Sequence, residues 1–366
     1  VTTPASTSAA PTSPRPDRAD RLRVVAATPV SEELIARVVE LEPRIDFVAD
    51  QSLLPPMRHP GDHPGDPSFE RTAEQQAAFE ELVDSAEVLY GIPDETPSEL
   101  ARTVAANPAL RWVQTMPAGG GAQVKKAGLS EEQLSRVKFS TSAGVHSDPL
   151  AEFSLFGLLA GAKSLPKLQA LQGRREWGSR WTMGLLSEQT ILIVGLGTIG
   201  RATAQKLSAL GARVIGTSRH ADSVEHVDEI VPPSAIAEVA GRIDGVVVTL
   251  PGTEQTEKLV GADFFAALRP GATLVSVGRG TVIDEDALLA ALEDGRVGFA
   301  ALDVVAEEPL AQDSPLWSHP SVLLSPHTAA LNAAEDRLIA ELFARNATRY
   351  LDGEELINRV DTVEFY

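Results

Sequence analysis

The run Ile191-Leu-Ile-Val-Gly195-Leu-Gly197-Thr-Ile-Gly200 constrains this chain more than any other part of it. Ile191–Val194 is a continuous aliphatic run of the kind that fills a strand buried on both faces, and it ends abruptly on glycine. Helical periodicity then runs over Ile199–Leu210. In a strand–loop–helix of this form, Gly195 permits the tight turn and Gly197 lets the backbone approach a pyrophosphate. Gly200 lets helix and strand pack closely. The amides of Thr198 and Ile199 open the helix and point at the phosphates, where the helix field favours negative charge. A glycine-rich turn alone says little. Its placement between a buried strand and a helix, with a second strand at Ala212–Thr217, makes it a dinucleotide loop.

The pattern continues after it. Strand-like runs recur at Thr190–Val194, Ala212–Thr217, Gly245–Leu250, Ala272–Val277, Phe299–Val304 and Ser321–Leu324. Helical periodicity lies between them at Ile199–Leu210, Thr256–Leu268 and Asp284–Glu293. Such alternation marks an α/β fold with a doubly wound, parallel, Rossmann-type sheet. The front third reads as a smaller α/β unit. Its strands are expected at Arg21–Thr28, Arg44–Val48, Ala86–Tyr90, Leu110–Met116 and Val137–Ser142, and its helices at Glu32–Leu41, with Ser31 as N-cap, and Pro97–Ala106. A helix beginning at Pro149 is apolar almost all round and is followed by an amphipathic, Trp-bearing stretch, Leu165–Leu186; a last helix covers Ala333–Asp352. The expected organisation is a tail at 1–20, a substrate domain at 21–148 plus 330–366, and an NAD(P)-binding domain at 149–329 inserted between its two parts.

Composition narrows the function. A chain of 366 residues with 43% hydrophobic content is long enough for two cores. The formal charge of −19 argues against nucleic acid as a partner, because phosphate neutralisation needs basic residues. It also requires that an anionic substrate be captured by a local positive site. No apolar run reaches the ~20 residues of a membrane span. Residues 1–20 are rich in Thr, Ser, Pro and Ala without the apolar stretch of a secretory signal, and are expected to be a disordered tail on a cytoplasmic protein. Without cysteine there is no disulfide, thiolate metal site or cysteine nucleophile. The tandem His59-Pro-Gly-Asp62, His63-Pro-Gly-Asp66 is explained by turn chemistry, and no metal is expected there.

Two further places carry chemistry. The second strand ends Thr217-Ser218-Arg219-His220, where an NAD enzyme usually places an acidic residue for the ribose hydroxyls. Ser218 and Arg219 suit a 2′-phosphate instead, so NADP(H) is favoured and NAD(H) is the alternative; His220 is expected near the adenosine phosphate. Arg279, Glu308 and His327 each lie just beyond the carboxyl end of an expected strand, where ligands bind in such sheets.

In these features the chain resembles the D-isomer-specific 2-hydroxyacid dehydrogenases, from about Arg21 to the C-terminus. Four matches carry the resemblance: Gly195–Gly200; Thr249-Leu-Pro251 with Thr253 and Thr256; Val277-Gly278-Arg279-Gly280; and Ala301–Leu310 followed by Ser325-Pro326-His327. The resemblance implies a flavodoxin-like substrate domain beside the Rossmann domain, and Arg279, Glu308 and His327 as the catalytic triad. Arg279 would bind the carboxylate and polarise the ketone of a 2-oxo acid. His327 would exchange the proton, and Glu308 would orient the imidazole. Cofactor contacts are implied at Thr249, Leu250, Pro251, Thr256, Val277, Gly278 and Ala329, with Asp303 on the nicotinamide carboxamide. Met116-Pro-Ala-Gly119-Gly120-Gly121 resembles the family loop whose amides hold the substrate carboxylate, with glycines replacing its usual side chains. A glyoxylate or hydroxypyruvate reductase, or a general 2-ketoacid reductase, fits best. Formate dehydrogenase would need Gln where Glu308 stands. A different class of protein, a dinucleotide-sensing corepressor with little turnover, is the alternative. The resemblance also implies a homodimer, with Leu165–Leu186 as its interface and Trp177 and Trp181 covered only there.

Overall fold

The computed structural model describes residues 21–363 and 365, so the tail expected over residues 1–20 lies outside the described residues. The chain forms two compact units, one taking the described residues up to Val145 and those from Ala333 on, the other His146–Asn332.

The first unit opens with β1 (Leu22–Ala26), α1 (Glu32–Leu41) and β2 (Ile45–Val48). Ser31 caps α1 by accepting the Leu34 amide, satisfying one of the donors a helix start leaves over. After the Pro- and Gly-rich segment comes α2 (Ala73–Asp84), begun by a reciprocal capping box between Thr72 and Gln75. Then follow β3 (Val88–Tyr90), α3 (Pro97–Ala106), β4 (Trp112–Gln114), α4 (Gly121–Lys126), α5 (Glu131–Arg136) and β5 (Lys138–Ser140). The strands pair in parallel in the order β2-β1-β3-β4-β5, the flavodoxin-like order.

The second unit begins with α6 (Ser147–Ala162) and α7 (Leu165–Arg174). Its regular alternation is β6 (Thr190–Val194), α8 (Thr198–Ala209), β7 (Arg213–Thr217), β8 (Glu229–Val231), α9 (Ile236–Ala240), β9 (Gly245–Val248) and α10 (Ala262–Ala267). After these come β10 (Ala272–Ser276), α11 (Glu285–Glu293), β11 (Val297–Leu302) and β12 (Val322–Leu324). The seven strands pair in parallel as β12-β11-β10-β9-β6-β7-β8, the Rossmann order with one strand added at an edge. Ile191–Val194 and Val246–Val248 are fully buried, as strands covered on both faces require. The order reverses at β6, so the crevice between the ends of β6 and β9 is where a ligand fits such a sheet.

α12 (Glu335–Leu351) belongs to the first unit. Phe343 stacks on Trp112 at 4.9 Å and meets Tyr90 edge-on at 5.1 Å, and all three are buried. Full burial of such side chains contributes roughly 2–3 kcal/mol each. This aromatic core compensates for strands that, apart from β1 and β2, are only three residues long.

One expected helix is corrected, and the structure adds detail elsewhere. The helix expected over Thr256–Leu268 is reduced to α10, because residues 253–259 close into turns and Lys258 takes a left-handed φ of 51°. The stretch Leu165–Leu186 is helical only as far as Arg174, since Arg175 (φ 54°) ends the helix. Trp177 is fully exposed in this chain. β8 is an edge strand whose three residues are only partly buried, which is why its apolar signal is weak. Among the described residues, no helix is long and apolar enough to cross a membrane.

Candidate active site

Gly195 sits at φ +112°, and a Cβ there would fall 2.8 Å from the Thr249 hydroxyl. A Cβ on Gly200 would lie 1.9 Å from the Gly195 carbonyl oxygen, so only glycine lets α8 start this close to β6. Two threonines fix the turn. The Gly195 amide donates to Thr217 Oγ1 at 2.9 Å, and Thr249 Oγ1 donates to the Gly195 carbonyl at 2.7 Å. Sequence reasoning missed Thr217. It placed Thr249 on the cofactor, whereas the hydroxyl is engaged in shaping the loop.

The helical ladder of α8 begins with the Arg201 amide on the Gly197 carbonyl at 2.9 Å. The amides of Thr198, Ile199 and Gly200 precede it and lack helical acceptors. A Cβ on Gly197 would meet nothing within 4 Å. A close glycine turn, open on one side and ending in free helical amides, fits a dinucleotide pyrophosphate. Thr256 does not reach outward: its hydroxyl donates to the Pro251 carbonyl at 2.7 Å and accepts the Thr253 amide at 2.9 Å, closing the loop that carries Leu250 and Pro251.

At the end of β7, Ser218 Oγ accepts the amides of His220 and Ala221 at 3.2 and 2.9 Å. Arg219 is exposed and donates to Gln255 Oε1 at 3.2 Å, so its guanidinium spans from this strand end to the loop after β9. His220 is exposed beside it.

The residues expected at the reacting centre stand at the ends of β10, β11 and β12. Val277 continues β10 through its amide on the Val248 carbonyl at 3.0 Å, and Arg279 follows, with Nη1 donating to the Gly278 carbonyl at 2.8 Å. A Cβ on Gly280 would lie 1.9 Å from the Val305 carbonyl carbon, so the Arg279 loop rests directly on the backbone that leads to Glu308. Glu308 Oε1 accepts the Val305 amide at 3.3 Å, and Oε2 meets His327 Nδ1 at 2.7 Å. Both side chains stay partly exposed, at 37% and 46%. A cleft of about 600 Å³ lies beside them, lined by Asp303, Glu308, Leu310, Trp317, Leu324 and His327 among others.

His327 adopts φ +53°, a conformation that costs an L residue roughly 1–2 kcal/mol. Asp303 holds it there. This residue is only 2% exposed, and its Oδ1 accepts from Ser325 Oγ at 2.6 Å and from the amides of Thr328 and Ala329 at 3.0 Å. Its backbone carbonyl accepts the His327 amide at 2.9 Å. Asp303, expected on the nicotinamide, thus has one carboxylate oxygen engaged in shaping the histidine turn, and Ala329 contributes to that turn through its amide.

Gly119 and Gly120 lie in the first unit, just beyond β4 and leading into α4. Gly119 is exposed, whereas Gly120 is buried against Thr115 and its amide donates to the Pro117 carbonyl at 3.2 Å. In the histidine–proline tandem, Asp62 is taken by Arg58 at 2.7 Å, and the segment is a series of turns.

Residues 155–329 match the family described as D-isomer specific 2-hydroxyacid dehydrogenase, NAD binding domain. A glyoxylate reductase/hydroxypyruvate reductase of Mus musculus is 30% identical over 277 residues, covering 74% of this chain and 82% of that protein. A glyoxylate/hydroxypyruvate reductase A of Serratia proteamaculans is 36% identical over 204 residues, covering 54% of this chain and 64% of that protein. Among solved structures, a D-isomer specific 2-hydroxyacid dehydrogenase from Xanthobacter autotrophicus Py2, in complex with NADPH and MES, superposes with a TM-score of 0.72. It is 28% identical, covering 95% of this chain and all of that one.

Proposed function

The chain belongs to the D-isomer specific 2-hydroxyacid dehydrogenase family, and from that premise we propose that it is an NADPH-preferring reductase of small 2-oxo acids of the glyoxylate and hydroxypyruvate type. The observation that carries this reading is the 2.7 Å pairing of His327 Nδ1 with Glu308, on loops that pack against Arg279. When bound, the dinucleotide supplies the hydride that reduces C2 of the substrate. The glycine loop and the α8 amides would hold its pyrophosphate. Arg219, with Ser218 beside it and no acidic residue at 217–220, would take a 2′-phosphate.

The protein's own groups manage the substrate's charge. The Arg279 guanidinium keeps donors beyond the one given to the Gly278 carbonyl, and a planar fork matches a carboxylate beside a ketone. With Nδ1 on Glu308, His327 presents Nε2 to the substrate oxygen and donates its proton as the alkoxide develops. In the oxidative direction Nε2 takes the proton back. Gly119, exposed at the start of this loop, would add a backbone donor to the substrate carboxylate.

The test is nicotinamide absorbance with NADPH and NADH against a panel of 2-oxo acids, with His327→Ala in parallel. Turnover that prefers NADPH and disappears with the histidine is the expected result. Tight cofactor binding without turnover on any 2-oxo acid would refute it and favour a sensor. We further place the protein in the cytoplasm as a homodimer. Phe156 on α6 and Trp177 present exposed apolar surface that a second copy could cover; sedimentation as a monomer would overturn the dimer.

A further inference from the structure

A loop of three successive glycines, Gly119–Gly121, has no side chains with which to hold itself, and glycine is the residue with most conformational freedom to lose. Its order must come from its neighbours. The Gln123 amide donates to the Gly120 carbonyl at 3.0 Å, and the Ala122 amide to the Gly119 carbonyl at 3.1 Å. From the same residue the side chain reaches across to the turn that leaves β3. Gln123 Nε2 donates to the Glu95 carbonyl at 3.1 Å and to Glu95 Oε2 at 3.2 Å.

That turn is unusual. Asp94 and Glu95 are consecutive non-glycine residues at φ 52° and 51°, a strained arrangement that persists only where its surroundings hold it. Arg71 anchors one side, pairing with Asp94 at 2.8 Å while lying 3.8 Å over the Phe79 ring. Beside this strained turn, Glu95 Oε1 is buried without a hydrogen-bond partner, as is Gln123 Oε1. We propose that Glu95 is a positioning residue for the substrate loop, acting through Gln123 to fix the buried Gly120 and so hold the exposed Gly119 in the conformation that receives the substrate carboxylate. This inference rests on the reductase reading above.

Burial pushes the Glu95 carboxyl up to about 7, against the favourable bonds from Gln123 and the Ile92 amide. The charged groups on the surrounding elements are largely engaged elsewhere. Asp94 pairs with Arg71 and Glu99 with Arg102, while Lys125 and Lys126 are exposed on the last turn of α4. Near neutrality the carboxyl is therefore poised between a neutral form that suits its site and a charged form driven toward water. On ionisation the cost of burial, which outweighs the Gln123 bond, draws the carboxyl toward water and loosens the clamp.

The experiment compares the full chain with Glu95→Gln, Glu95→Ala and Gln123→Ala, measuring KM and kcat for hydroxypyruvate with NADPH on either side of neutrality. Amide hydrogen exchange over residues 117–126 is measured on the same samples. Glu95→Ala and Gln123→Ala should raise KM by about tenfold with kcat within about twofold, and speed exchange of the loop amides by about tenfold. In the unmodified chain KM should rise above a pH of about 7, whereas Glu95→Gln, a neutral isostere, should keep the low KM and lose the rise. Unchanged KM and unchanged exchange in Gln123→Ala, or a pH-dependent rise that survives Glu95→Gln, would overturn the proposal. Absence of turnover in the unmodified chain would refute the reductase reading instead. In that case exchange still decides the clamp: loop amides no faster in Gln123→Ala would overturn it as well.

Discussion

Replacing Asp303 with Ala should disable His327 without touching it. Three donors converge on Asp303 Oδ1: Ser325 Oγ at 2.6 Å and the amides of Thr328 and Ala329 at 3.0 Å. Hydrogen bonds to a carboxylate contribute about 1.5–3 kcal/mol where water is excluded. This turn is half open to water, which would satisfy the freed donors in part, so about 1 kcal/mol each is the better figure. The total, about 3 kcal/mol, opposes the roughly 1–2 kcal/mol cost of His327 at its left-handed φ. The ordered turn thus holds a margin of about 1–2 kcal/mol, and Asp303→Ala reverses its sign. The ordered population should drop to about a tenth or less, and kcat should fall roughly 10- to 30-fold. Stability to urea should fall only about 1–2 kcal/mol, because the turn relaxes once its strain is released. Asp303→Asn keeps an acceptor at Oδ1 and should lose no more than about threefold in kcat. Steady-state rates with saturating cofactor, alongside urea titrations, check both variants. An Asp303→Ala enzyme with kcat within about twofold of the parent refutes this account. A loss appearing only in cofactor KM would place the carboxylate on the nicotinamide.

Other substitutions probe the remaining parts. Gly200→Ala puts a methyl 1.9 Å from the Gly195 carbonyl, and should weaken NADPH binding by at least about a hundredfold in a fluorescence titration. Arg219→Ala should raise KM for NADPH about tenfold and leave NADH unchanged; equal effects on both would deny the arginine a 2′-phosphate. Glu95 predicts a stability profile with a definite sign. Its pKa rises from an ordinary 4.5 to about 7, so the folded state binds the extra proton. The resulting stabilisation is complete below the ordinary value and is lost as pH climbs through the raised one. Relative to Glu95→Gln, the parent should lose about 2 kcal/mol between a pH of about 5 and about 8, as followed by urea midpoints, and a constant difference would contradict the burial argument.

The cofactor half was readable because its signals are long and redundant. Five consecutive strand residues at Thr190–Val194, glycines at fixed spacing and a twelve-residue helix all point one way. The first unit was harder, since β3, β4 and β5 have three residues each and period alone says little at that length. α2 escaped notice behind the Pro- and Gly-rich segment, although Thr72 and Gln75 spell a capping box. For the reacting centre, residue types at strand ends marked Arg279, Glu308 and His327. Sequence could not say what each hydroxyl or carboxylate oxygen bonds. That is why the sequence places Thr249 and Thr256 near the cofactor without showing that their hydroxyls close loops, and why the hold of Asp303 on the histidine turn leaves no trace in it. Contacts between residues distant in sequence, such as Thr217 with Gly195, are set by the register of β6 on β7 and leave no local trace.

The contact of Gly280 with Val305 has a consequence for how such a site changes over generations. Because the arginine loop lies flush on the peptide leading to Glu308, neither can be lengthened or tilted alone. A recombination joint placed between the two strand ends would hand one parent's arginine loop to the other parent's glutamate loop, and the backbones would collide or part. The arginine loop and the glutamate loop are therefore expected to tolerate insertion or exchange only when both change together.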